Sequence, residues 1–175
     1  MEVYLASAAG LLSWCGKWRK IPTPLAHPTL LAACGADVAL ADSVNRLLYR
    51  QGRISTLPPG VEVLRRWRNQ LLTLSSETNC LTLYDAHDYP LVTSPAGIRP
   101  CDCAVVDCQV IVCGCEDGCL HIFSLPDLRE IAAYPVPGCP MRVAADGGVL
   151  TCLSLLSPDP PQTLLFRLCL TSGDF

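Results

Sequence analysis

Residues 108–140 read CQVIVCGCEDGCLHIFSLPDLREIAAYPVPGCP. Gln109 to Gly114 is apolar on both faces, through Val110, Ile111, Val112 and Cys113, as a short strand sandwiched between layers requires. Glu116-Asp117-Gly118 follows. Glycine takes the positive φ of a hairpin turn, so the chain should double straight back. The return strand, Cys119 to Ser124, places Cys119, His121 and Phe123 on one face and Leu120 and Ile122 on the other. Pro126 and Asp127 break it, and Arg129 to Val136 makes a further extended run. Pro137, Gly138 and Pro140 then leave a poor place for any helix. Four antiparallel strands per unit, joined by turns, is the economy of a propeller blade.

Fainter copies of this unit run through the whole chain. Val3, Val38, Leu71, Val110 and Val149 each open a second strand, at spacings of 35, 33, 39 and 39 residues. A hairpin turn follows each opener, and the paired return strands end in the bulk of Trp14, Tyr49, Tyr84, Phe123 and Phe166. Crossovers rich in Pro and Gly (PTPLAHP, LPPG, SPAGIRP, YPVPGCP) separate the units. A period of about 35–40 residues with four strands per unit points to a β-propeller rather than a sandwich. The expected fold is therefore all-β, a single propeller domain over 1–175 with units at about 1–27, 28–59, 60–99, 100–139 and 140–175. Three units read as complete. The first lacks its innermost strand and the last its outer strand, so the chain is an open arc or a small ring, with the arc favoured. Unpaired blade edges and exposed blade faces then favour self-association.

The segment GIRPCDCAVVDCQVIVCGCEDGCLHIFSL, residues 97–125, carries a G-x-x-P, a short apolar strand, a turn and a second strand. It resembles the YVTN-type propeller repeat, within the group that includes WD-repeat, NHL and lactonase-type propellers. The resemblance covers nearly all of the chain and implies a fold. By analogy with one branch it also implies a lactonase-like hydrolase as an alternative function.

Composition narrows the choices. Half of the 175 residues are apolar and 17% are charged, which suits a buried core and not disorder. Fifteen prolines and twelve glycines fit many turns. A net charge of −3 argues against nucleic-acid binding, which needs a positive face. The opening MEVYLASAAGLLSWC has Glu2 where a signal sequence has a basic residue and Trp14 where cleavage needs small ones. No apolar run reaches the roughly 18 residues of a membrane span. The expectation is a cytoplasmic protein, with no membrane partner and with its twelve cysteines reduced.

Three groups of residues invite a chemical reading. The cysteine cluster Cys101, Cys103, Cys108, Cys113, Cys115 and Cys119 is the first. Its C-x-C spacing on a strand puts two sulfurs about 6.5–7 Å apart on one face, too far for one metal without a neighbouring strand. Buried small hydrophobes are the commoner role of such thiols; if a metal is held, Cys113, Cys115 and His121 are the ligands expected. The second group is the pair of basic-aromatic runs, Lys17-Trp18-Arg19-Lys20 and Arg65-Arg66-Trp67-Arg68. From these, Lys17, Trp18, Arg65, Arg66, Trp67 and Arg68 are expected as a patch for an anionic ligand, against the plainer reading of a solvated face with tryptophan packed between blades. The third is Asp85, His87 and Asp88, the one local acid/imidazole group, and such loops are usually polar turns. No nucleophile elbow, phosphate-cradling loop or dinucleotide fingerprint is present. The function expected is a non-catalytic propeller module binding a protein partner or small ligand, with no cofactor. Lactonase-like hydrolysis and metal or redox binding through the cysteines stand as alternatives.

Overall fold

The computed structural model describes residues 3–7, 10–34, 37–97, 99–114, 116–146 and 148–169. Among them the chain is all-β, in five antiparallel sheets that follow one another in sequence. Blade 1 holds β1 (Val3–Ser7), β2 (Gly10–Trp14) and β3 (Trp18–Ile21). Blade 2 holds β4 (Leu30–Cys34), β5 (Asp37–Asp42), β6 (Leu47–Arg50) and β7 (Arg53–Thr56). Blade 3 is β8 (Val61–Trp67), β9 (Gln70–Ser75), β10 (Cys80–Tyr84) and β11 (Pro90–Pro95). Blade 4 is β12 (Pro100–Val106), β13 (Gln109–Gly114), β14 (Cys119–Ser124) and β15 (Glu130–Pro135). Blade 5 is β16 (Cys139–Asp146), β17 (Val149–Pro158) and β18 (Pro161–Cys169). Three blades thus have four strands and the two end blades three, as the repeat pattern implies.

Burial explains the pattern read in the sequence. The second strands β9 and β13 are buried along nearly their whole length, because each is covered on both faces by a neighbouring blade. The outer strands β7, β11 and β15 are mostly exposed. The core is accordingly not one mass but a series of inter-blade layers. Leu74, Leu83, Val112 and Phe123 fill the layer between blades 3 and 4. Leu48, Leu64, Leu71 and Tyr84 fill that between 2 and 3, and Ile111, Cys113, Ile122 and Cys152 that between 4 and 5.

Inner strands β4, β8, β12 and β16 pack side by side in that order. β1 packs on β4 as β9 packs on β12 and β13 on β16, so β1 holds the second-strand place and blade 1 has no inner strand among the described residues. No comparable contact joins β16 back to β1 among those residues, and the inner strands form an arc. No helix of the described residues is long and apolar enough to cross a membrane.

Candidate ligand groove

The concave side of the arc is built by the inner strands, and three of them share a local irregularity. The pairing register slips between Val61 and Val63, between Pro100 and Asp102, and between Pro140 and Arg142. A bulge at this point re-aims the residue that follows it. In β12 and β16 the residues that follow are charged: Asp102 and Arg142.

Asp102 is buried, and its carboxylate accepts from three consecutive inner strands. Arg65 of β8 donates from Nη2 at 2.7 Å, the Cys103 amide at 2.9 Å, and the Val143 amide of β16 at 3.1 Å. Arg65 also donates from Nε to the Cys103 carbonyl at 2.8 Å and from Nη1 to the Leu64 carbonyl at 3.0 Å. Arg142 reaches β12 from the other side, donating from Nη1 to the carbonyls of Cys101 at 3.1 Å and Met141 at 3.3 Å. Asp102, Arg65, Arg142 and Glu62, with Leu30 and Leu31, enclose a cavity of about 210 Å³. Asp102 carries no flag in the sequence beyond its place two residues after a crossover proline. Breaking a buried ion pair by removing one partner costs about 3–5 kcal/mol, and less here because Arg65 stays partly in water.

The rest of the second basic-aromatic run is dispersed. Arg66 is partly buried between blades 2 and 3, where its Nη2 meets Asp37 at 2.5 Å. Asp37 is shared with Arg50, itself buried, and Arg50 reaches Asp88 at 3.4 Å and the Asn69 carbonyl at 2.6 Å. Trp67 is buried and donates from Nε1 to the Asp107 carbonyl at 2.8 Å, while Arg68 lies over its ring at 4.6 Å. In the first run Lys17 and Trp18 are exposed, and Trp18 pairs across the hairpin with Trp14. Arg65 is therefore the one predicted cation that lines the inner cavity.

Of the metal ligands considered, Cys115 lies outside the described residues. Cys113 packs with Leu120 and Ile122 toward blade 5, whereas His121, opposite Val112, points to the other side of the sheet. Among the described residues no group of three or more His, Cys, Asp or Glu side chains could hold a metal ion. Hydrogen bonding with Cys101 and Cys152, together with burial, pushes the Cys113 thiol up, and burial pushes that of Cys103 up to about 12, so both stay protonated and inert. His121 is engaged elsewhere: Nε2 meets Asp117 at 2.7 Å and Nδ1 meets Glu130 at 2.8 Å. Asp85 accepts from the amides of His87 and Tyr89, closing a polar turn.

No family model and no curated protein matches the chain. Among solved structures it is similar to the WD40 β-propeller domain of Doa1, at 12% identity and TM-score 0.71 over 99% of this chain and 63% of that one. It is also similar to U3-55K, at 13% and 0.70 over 87% and 54%, and to the computationally designed Ika8 protein, at 9% and 0.72 over 95% and 55%. The chain thus spans less than two thirds of each of these three. At such identities the likeness establishes the fold: a propeller-type array of five blades, of the kind found in WD40 domains.

Proposed function

We propose that the chain is a non-catalytic propeller module that binds a protein partner along the groove of its inner strands. The observation that carries this reading is the convergence of Arg65, Asp102 and Arg142, from three successive blades, on one concave polar pocket. The Arg65–Asp102 ion pair and the backbone carbonyls that hold Arg142 fix these side chains before any partner arrives, which lowers the ordering cost of binding. The pocket, at about 210 Å³, falls below the roughly 300–1,000 Å³ of small-molecule sites, which favours a partner's side chain over a free metabolite. The WD40 likeness supports a binding scaffold. The resemblance of residues 97–125 to YVTN-type repeats favours that branch of the propellers. Ten of the described cysteines are unbridged, which supports a reducing, cytoplasmic setting. The exposed Leu5, Trp14 and Trp18 of blade 1 and Leu165 of blade 5 support self-association through the end blades.

The test reverses charge in the groove without touching Asp102. Glu62→Lys with Arg142→Glu should lower the recovery of specific co-purifying proteins about tenfold or more, whereas Arg19→Glu on the outer rim should not. Quantitative mass spectrometry of affinity-purified protein reads the result. A co-purifying set unchanged by the groove variant would place binding elsewhere.

A further inference from the structure

Resting on the groove as the binding surface, we infer that it recognises a carboxylate on an acidic segment of the partner protein, with Arg142 as the anchor. Arg142 differs from its neighbour Arg65. Arg65 is neutralised by Asp102, whereas Arg142 has no acidic partner among the described residues. Its Nη1 is pinned by the carbonyls of Cys101 and Met141, which fixes the guanidinium and leaves the Nε and Nη2 donors without a partner among those residues. That pair of parallel N–H groups is the edge that matches a carboxylate in bidentate fashion.

The local charge balance selects the ligand's charge. Arg65 and Asp102 cancel. Glu62, on the same pocket, accepts from the Ser76 hydroxyl at 2.5 Å, which ties it to the turn after β9 instead of pairing it with Arg142. Arg142 is left as the cation of the pocket without an acidic partner among the described residues, and a singly charged carboxylate suits it. A phosphate, nearly doubly charged, would bring excess negative charge against Asp102 and Glu62. Leu30 and Leu31 on the wall of the pocket exclude water from one side and strengthen the attraction. An extended acidic peptide lying along the groove satisfies these terms, one of its carboxylates meeting Arg142.

The experiment titrates the full chain into fluorescein-labelled hexaglutamate at low ionic strength and follows fluorescence polarisation. Saturable binding is expected, weakening with salt. Arg142→Gln should weaken it about tenfold, and Arg142→Lys should restore part of the loss, since it returns the charge without the fork. Glu62→Gln should tighten binding, a result that a merely structural role for the groove would not produce. Thermal melting confirms that each variant is folded. No binding of hexaglutamate to the wild type, equal binding by Arg142→Gln, or clear preference for a phosphoserine peptide of the same length would overturn the inference. If the charge-reversal variant loses its partners while hexaglutamate fails to bind, the groove stands as the surface and the carboxylate falls. If partners are retained, the groove itself falls.

Discussion

His121 sits between two acids, and its protonation is tied to both. Burial alone would lower the pKa of its imidazole, but hydrogen bonds to Glu130 and Asp117 and the charge of both outweigh it and raise the pKa. The doubly protonated ring can donate from both nitrogens at once, bracing the turn after β13 against the outer strand β15. A group whose folded pKa is raised lends stability fully below its unfolded value, about 6.5 for histidine, and loses it as pH climbs through the folded value. Melting of wild type and His121→Gln should therefore differ most at about pH 6 and converge toward pH 9. A gap that stays constant over that range would mean the ring acts by shape and not by charge. Gly114 and Gly97 leave room for this arrangement: a Cβ on Gly114 would sit 2.3 Å from Asp117 Oδ1, and one on Gly97 3.0 Å from His121 Nε2.

At the level of strands and crossovers, the glycines that punctuate the repeats prove to be packing positions as well as turns. Gly60 and Gly138 both have positive φ, +65° and +74°, and both lie where a crossover presses on the hairpin of its own blade. A Cβ on Gly138 would meet the Leu155 carbonyl oxygen at 2.4 Å, and one on Gly60 the Glu77 amide at 2.9 Å. Backbone cannot swing aside as a side-chain tip can, so Gly138→Ala should lower the unfolding free energy by about 2–4 kcal/mol, read from the urea midpoint. A loss below about 0.5 kcal/mol would mean that the crossover shifts freely. Next to these glycines the Ser75 hydroxyl donates to the Pro59 carbonyl at 2.7 Å, and the Ser154 hydroxyl likewise to that of Pro137. The blade pattern was legible because strand alternation, turn residues and crossover prolines recur in one register. The groove was less so. Arg65, Arg66 and Trp67 look like one patch when written in a row, yet successive residues of a strand face opposite sides. Arg65 goes to the inner cavity, Arg66 to the layer between blades 2 and 3, and Trp67 to the layer between 3 and 4. The role of Asp102 depends on a bulge and on amides one blade away, neither of which a linear pattern records.

For the whole molecule, stability should be distributed unevenly along the arc. Blades 2, 3 and 4 are covered on both faces, whereas blades 1 and 5 each have one face without a neighbouring blade among the described residues. In a stack where each unit contacts only its neighbours, the end units open first. Amide hydrogen exchange should be slowest in β9 and β13 and faster, by about tenfold or more, in β3 and β18. Uniform protection across all five blades would mean that the array unfolds as one unit. The same arrangement sets how curved the arc is. A layer of apolar side chains by itself permits some sliding, since hydrophobic contacts have no fixed direction.

Asp102 does not permit it. Because its carboxylate is bonded to blades 3 and 5 as well as to its own, the angles on either side of blade 4 are locked together. Under tension applied to the two ends, blade 1 would peel away first, whereas the inner strands of blades 3 to 5 would resist as a single hinge-free block until one carboxylate let go.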